Sequence, residues 1–244
     1  MKKKVAVAMS GGVDSSLTAA LLIEQGYDVI GVTMTLSDES REAGGSTAVS
    51  DAKKVADELN IPHYVVNYHK KFKDDVIKYF ISEYAKGRTP NPCVRCNNTV
   101  KFGSLLKDCL ELGADCVATG HYARIEQDEK TGRYLLKKGL DVRKDQSYVL
   151  YTLTQDVLKH FMLPLGNYSK EKTRELAGKM NLPVANKPES QEICFIPNDD
   201  YKAYLKVKAP HILKPGDIVD VNGNKLGRHE GVPLYTVGQR KGLG

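Results

Sequence analysis

The 244-residue sequence lacks any apolar run near the roughly 18 residues that a helix needs to span a membrane. That excludes a helical membrane protein. Its start, MKKKVAVAMSGG, reaches a glycine turn too soon for a secretory signal peptide, so a cytoplasmic chain is expected. Internal repeats and low-complexity tracts are absent too. Cysteine is scarce, and five thiols without a secretion signal argue against a disulfide framework and for catalysis, metal binding or core packing. Neither sign of charge dominates: 36 Lys and Arg face 30 Asp and Glu, giving a net charge of +6 and a pI near 8.9. Such a balance suits an acidic partner such as RNA, although many enzymes are this basic without one.

Two common nucleotide signatures are also missing. No lysine follows Gly12 as a Walker A loop requires, and the dinucleotide spacing GxGxxG does not occur. What is present is SGGVDSS, residues 10–16, between an apolar strand pattern (VAVAM) and a helical one (Leu17, Ala20, Leu21). The first amides of a helix have no intrahelical partner, and Gly11 and Gly12 carry no Cβ to keep an anion away. Ser10, Ser15 and Ser16 add hydroxyls. The turn is therefore a phosphate site.

Strand and helix patterns alternate through the first half: strands at 4–9, 28–34 and 63–67, helices at 14–25, 51–59, 72–86 and 99–112, then the strand CVATGHY. That order predicts an α/β fold with a parallel sheet flanked by helices, whose ligands bind at the carboxyl ends of the strands. Residues 38–50 and 86–98 read as loops, DEKTGRYLLKKGLDVRKDQSYVLY (128–151) reads as a hairpin followed by a basic-polar connector, and 156–181 read as helices. After about residue 205 short strands and glycine turns predict a second, small β-rich domain, dividing the chain into 1–205 and 206–244. Cys109 and Cys116 sit in apolar helix and strand patterns and are expected in the core. Cys93, Cys96 and Cys194 fall outside such patterns.

SGGVDSS resembles the pyrophosphate-binding loop (PP-loop) of ATP pyrophosphatases of the adenine nucleotide alpha hydrolase-like fold, which cleave between the α- and β-phosphates. With it, GVTM, GRTPNPCVRCNNTVKFG, ATGHYARI, GLDVRKDQSYVLYTL, PLGNYSKEKTRELA, ESQEICFIP and YTVGQRKGLG occur in the order and spacing of bacterial tRNA-specific 2-thiouridylases. The resemblance covers essentially the whole chain. It implies an enzyme that adenylates O2 of the wobble uridine (U34) and replaces that oxygen with sulfur. ATP would bind at Ala8, Met9, Ser10, Gly11, Gly12, Val13, Asp14 and Ser15, with Met34 and Gly120. Asp14 would serve Mg²⁺ or orient the acceptor. Asn91, Pro92 and Cys93 would border the base pocket, His121 would lie near the base, and Lys144, Asp145 and Gln146 would meet the anticodon stem-loop. Cys194 would carry a persulfide and Cys96 would attack the base or the persulfide, with a sulfur donor protein, or free sulfide in place of a persulfide, as partner. Arg95 and Lys101 are expected to lower the thiol pKa, and both cysteines are expected in flexible loops.

Two departures stand out. Many relatives have Asp in NPDxxCN where this chain has Cys93, so Cys93, Cys96 and Cys194 could instead hold a [4Fe–4S] cluster with one open iron. The resemblance also implies a C-terminal β-barrel beyond Gly244, missing from this sequence. Two other readings compete: a PP-loop ligase or synthetase acting on a small metabolite, and a non-catalytic iron–sulfur RNA-binding module.

Overall fold

The computed structural model describes residues 2–36, 46–189 and 193–242. Along the chain, β1 (Lys4–Ala8) leads into α1 (Val13–Glu24), β2 (Asp28–Thr35), α2 (Ser46–Glu58) and β3 (His63–Asn67). Helices α3 (His69–Phe72) and α4 (Lys78–Ala85) are joined through a π-helical stretch, Lys73–Ile77; α5 (Pro92–Cys96) and α6 (Leu105–Glu111) are joined through another, Asn97–Ser104. Next come β4 (Cys116–Ala118), the antiparallel hairpin β5 (Ala123–Gln127) and β6 (Tyr134–Lys138), α7 (Gln155–Leu158), β7 (Phe161–Met162) and α8 (Lys170–Lys179). Helix α9 (Tyr201–Lys208) precedes a second antiparallel hairpin, β8 (Gly216–Val219) with β9 (Lys225–His229).

The main sheet is parallel throughout, in the order β3-β2-β1-β4-β7. Val5, Ala6 and Val7 are wholly buried because both faces are covered. Alternation assigns Ala6, Ile30 and Val32 to one side, with Phe72, Phe80 and Val100, and Val5, Val7 and Val29 to the other, with Leu22 and Val55. From β1 the chain moves outward to β2 and β3, then returns to β4 on β1's other flank. The crevice between β1 and β4, at their carboxyl ends, is thus the switch point where ligands bind in such sheets.

The expected α/β architecture stands, with local corrections. Residues 92–96, read as loop, form α5: Asn91 caps it by accepting from the amides of Cys93 (3.1 Å) and Val94 (3.3 Å), with Pro92 in its first turn. The 38–50 segment is helical from Ser46, while 38–45 lies outside the described residues. The 156–181 region contains β7, two residues that extend the sheet. Cys109 and Cys116 are buried core residues as expected. Among the described residues no helix is long and apolar enough to cross a membrane.

Candidate active site

The loop after β1 lies at this switch point. Gly11 has φ +69°, and a Cβ there would collide with the Ala48 carbonyl oxygen, so only glycine suits the position. Gly12 begins α1 with extended backbone and no side-chain cap, leaving the helix's first amides for an anion. Ser10 is exposed. The Ser10 amide donates to Ser15 Oγ (3.0 Å), and the Ser15 and Ser16 hydroxyls donate to the Gly12 carbonyl (3.2 and 2.9 Å). Ser15 and Ser16 therefore shape the loop, and Ser10 carries its solvent-facing hydroxyl. Met9 and Val13 bury their side chains in the core, so only their backbones can serve a ligand. Ala8 and Met34 pack against the same core cluster as Cys96.

From β4, Gly120 closes on this loop: a Cβ there would sit 2.9 Å from Asp14 Cβ and from the Ser15 amide nitrogen. Asp14 is the loop's acid. Lys170 Nζ donates to both its oxygens (2.7 and 2.8 Å), and the Tyr122 hydroxyl donates to Oδ1 (2.8 Å). Lys170, only 7% exposed, also pairs with Glu189 (3.1 Å), which in turn binds Lys144 (2.7 Å) and Arg174 (3.6 Å). Burial works to raise the Glu189 carboxyl, but hydrogen bonds from Lys144 and Lys170 outweigh it and hold the group below its ordinary range. Lys187 donates to the Gly11 carbonyl (3.0 Å) and to Asp51 (2.7 Å). Exposed serine, free helix amides and two lysines make a donor set that fits a polyphosphate.

Sequence reasoning missed Lys170, Lys187, Glu189 and Tyr122. One signal was available for Lys170. It is the first residue of α8, after the Ser169 cap, where the helix dipole disfavours a cation. A buried lysine there requires acidic partners.

The two reactive-cysteine candidates lie far apart in sequence. Cys96 is buried on α5, whereas Cys93 is exposed. Cys194 leads into Phe195, which is clamped edge-on by Phe72, Phe80 and Tyr204 (centroids 5.6, 5.3 and 5.5 Å). The Cys194 residue reaches solvent, yet dense protein surrounds its sulfur. Burial, then the neighbouring Cys96, push that thiol up to about 12, with Lys101 opposing. Burial also raises Cys96, with Lys101 opposing and Cys93 adding to the rise. Cys194 thus feels the charge of Cys96, and Cys96 that of Cys93.

These directions correct the expected lowering. Lys101 acts in the foreseen sense but loses to desolvation, and Arg95 turns away, donating to the Asp75 carbonyl (3.1 Å) with its guanidinium 5.6 Å from the Tyr79 ring centre. Nor is Cys96 in a flexible loop. Among the described residues no three His, Cys, Asp or Glu side chains are gathered to hold a metal ion, so the three thiols do not form a ready cluster site. A measurable consequence follows from Cys194. A thiol near 12 has a thiolate fraction that climbs with pH, so its iodoacetamide alkylation should rise about tenfold per pH unit between about pH 7 and 10. Peptide mapping that finds a plateau near pH 9 would contradict this environment.

His121 donates to or accepts from Thr119 Oγ1 (2.7 Å), and burial lowers its pKa to about 3, so it is neutral at physiological pH. Asp145 and Gln146 are committed internally: Asp145 accepts from the Gly139 amide and the Ser147 hydroxyl, and Gln146 Oε1 accepts from the Tyr122 amide. Around them Arg143, Tyr148 and Tyr151 face solvent. A basic cleft of about 1010 Å³, lined by Lys2, Lys3 and Tyr27, opens at the strands' amino ends. It is remote from these groups, and the assignment rests on the donor chemistry of the carboxyl edge.

Residues 3–198 match the family described as tRNA methyl transferase HUP domain, and residues 202–244 match tRNA methyl transferase PRC-barrel domain. A tRNA-specific 2-thiouridylase MnmA from Carboxydothermus hydrogenoformans is 57% identical over the whole of this chain, which spans 69% of that relative. The chain belongs to the tRNA-specific 2-thiouridylase family. A second 2-thiouridylase, from Caldanaerobacter subterraneus subsp. tengcongensis, is 58% identical over the whole chain and 69% of its own length. The Clostridioides difficile 2-thiouridylase is 53% identical with the same coverage. Among solved structures, the U34-tRNA thiolase NcsA from Methanococcus maripaludis, with its [4Fe–4S] cluster, superposes with a TM-score of 0.51 over 86% of this chain and 69% of its own. At 20% identity that likeness speaks for the fold alone.

Proposed function

We propose that this 2-thiouridylase is an ATP-dependent tRNA sulfurtransferase that adenylates O2 of U34 and replaces it with sulfur. The reading is supported by a phosphate-binding loop at the carboxyl edge of the sheet, with Cys96 in the core cluster against which Ala8 and Met34 pack and within electrostatic reach of Cys194. The family descriptions say methyl transferase while the relatives are 2-thiouridylases, and the paired thiols favour sulfur chemistry. A metabolite ligase would have no use for them.

A uracil carbonyl oxygen leaves poorly, and AMP leaves well. ATP supplies that adenylyl group; Ser10, the first amides of α1, Lys170 and Lys187 would hold the departing pyrophosphate, and Asp14 is the hard oxygen donor suited to Mg²⁺. Cys194 would receive a sulfane sulfur from the persulfide of a donor protein, whose own thiol leaves; free sulfide, already reduced, would instead attack the activated C2 directly. In one course Cys96 attacks C2 and expels AMP, the terminal persulfide sulfur displaces Cys96 from C2, and Cys96 then attacks Cys194 Sγ to free the thiouridine; in the other, Cys96 attacks Cys194 Sγ first and the hydrosulfide released displaces AMP. Either course leaves a Cys96–Cys194 disulfide that a thiol reductant restores. Sulfur adds at C2 and the C2–O bond breaks to AMP. Neutral His121 can hydrogen-bond the base without adding charge. The RNA would meet Lys144 and the exposed Arg143, Tyr148 and Tyr151, residue types suited to phosphate and unstacked bases. No step needs a [4Fe–4S] cluster. Free thiols of this kind suit the reducing cytoplasm.

Mixing the protein with α-labelled ATP, unmodified tRNA and a sulfur donor should release AMP only when the tRNA carries U34, and without the donor the label should stay on the tRNA. Equal AMP release without tRNA would overturn the proposal in favour of a small-molecule synthetase.

A further inference from the structure

The peptide unit that opens the phosphate loop is held at both of its polar ends by hydroxyls. Its carbonyl, on Met9, accepts from Thr33 Oγ1 at 2.9 Å, a bond buried in the sheet. Its amide, on Ser10, donates to Ser15 Oγ at 3.0 Å, and the Ser15 hydroxyl donates in turn to the Gly12 carbonyl at 3.2 Å. The Met9 amide donates to the Val32 carbonyl (2.8 Å), so the chain stays on β2 for one residue beyond the end of β1. Thr33 is only 2% exposed, and its hydroxyl has a second neighbour, His63 Nε2 at 2.8 Å. A hydroxyl has one proton, and this one goes to Met9; His63 must therefore donate to Thr33, with Nε2 as its protonated nitrogen. His63 stands opposite Gly31 in the β2–β3 register, and Thr33 follows Gly31 by two residues on the same face. Gly31 leaves the room this needs: a Cβ there would lie 2.6 Å from Met9 Sδ and 3.2 Å from the His63 ring. Burial, then Lys53, lower the His63 pKa, with Asp57 opposing, so the ring is neutral at physiological pH.

These bonds form one directed chain from β3 to the start of α1. His63 donates to Thr33, Thr33 to the Met9 carbonyl, the Ser10 amide to Ser15, and Ser15 to Gly12. Hydrogen bonds linked in this way polarise one another. We propose that Thr33 and His63 are positioning residues for nucleotide binding: they fix the Met9–Ser10 peptide, its carbonyl held by β2 and its amide by Ser15, and so set the shape of the loop that receives the phosphates. They act through that peptide. Without the Thr33 hydroxyl the Met9 carbonyl loses its partner. Because the peptide is planar, any rotation that finds the carbonyl a new partner also swings the Ser10 amide away from Ser15. The purpose of this arrangement rests on the reading of residues 10–16 as a phosphate loop, its geometry on the hydrogen bonds alone, and each has its own measurement.

The test compares the full wild-type chain with Thr33→Val, which keeps the shape and removes the hydroxyl, with Thr33→Ser, which keeps the hydroxyl, and with His63→Leu. Two quantities are read: ATP affinity by titration calorimetry, and exchange of the Ser10 amide by NMR without nucleotide. Thr33→Val should weaken ATP binding about tenfold and speed Ser10 exchange about fivefold or more, with the Val5 and Val7 amides unchanged. Thr33→Ser should stay within about twofold of wild type in both. His63→Leu should weaken ATP about threefold, and adding it to Thr33→Val should cost nothing further, because His63 acts through the Thr33 hydroxyl. A general loss of packing would give neither the serine rescue nor this failure to add. Wild-type ATP affinity or wild-type Ser10 exchange in folded Thr33→Val overturns the proposal, and so does additive loss in the double variant. If Thr33→Val does not fold, His63→Leu must speed Ser10 exchange about twofold or more, and a wild-type rate there overturns it equally. Wild type that binds no ATP refutes the phosphate-loop reading, while Ser10 exchange still decides whether Thr33 and His63 hold the peptide.

Discussion

Asp14→Asn should cut tRNA-dependent AMP release by about 10²-fold or more while tRNA affinity stays within about twofold. Asp14 is the acid on the phosphate loop, and both its oxygens accept from Lys170 Nζ, at 2.7 and 2.8 Å. Asparagine keeps the size and leaves one oxygen to accept, but it has no charge to offer a cation and turns an amide donor toward Lys170 or the Tyr122 hydroxyl. Charge-assisted hydrogen bonds are about twice as strong as neutral ones, so the lysine and any divalent ion both lose their aim. The fold should survive. The Asp14 side chain is about a third exposed and Lys170 keeps Glu189, so the stability loss should be on the order of 1 kcal/mol. Quench-flow counting of AMP beside a filter-binding titration of tRNA checks both halves. AMP release at the wild-type rate would remove Asp14 from the chemistry, and a parallel loss of tRNA binding would make its role structural.

The parts of this arrangement that local pattern encodes were legible. A strand buried on both faces reads as VAVAM, and a glycine pair before a helical repeat reads as an anion turn, because both depend on neighbours in sequence. Helix α5 was hidden by its prolines, although Asn91 followed by Pro92 is a helix-start signal once the cap is sought. The two-residue β7 is too short to show a period. The ion network was out of reach for a different reason: Lys170 and Lys187 meet the loop across 156 and 176 residues, and only the folded chain brings them there. The sign of the cysteine shifts was also misjudged. Nearby Arg95 and Lys101 suggested acidic thiols, but the result is set by burial, which depends on packing from Phe195 and its neighbours.

That burial shapes the second large effect. Cys96→Ser and Cys194→Ser should each lower tRNA thiolation by about 10³-fold or more and leave first-turnover pyrophosphate release, with AMP transferred to the tRNA, within about threefold, because activation of the base precedes sulfur attack. Serine keeps the volume but neither carries a persulfide nor attacks one, and it alters no contact of the phosphate loop. The raised thiol pKa adds a sign that can be checked. With the folded-state thiols protonated at neutral pH, the thiolate fraction and the sulfur-transfer rate should increase as pH rises from about 7 toward 9, while adenylation need not follow. Cys93 separates this route from a cluster. Cys93→Asp restores the residue common among relatives and should preserve thiolation in iron-free buffer with an ordinary sulfur donor. A rate that depends on reconstituted iron, and is lost with Cys93 as well as with Cys96 and Cys194, would show that the three thiols act together as ligands. If either serine variant instead fails to release pyrophosphate, that cysteine acts before sulfur arrives, and the order of steps proposed here is wrong.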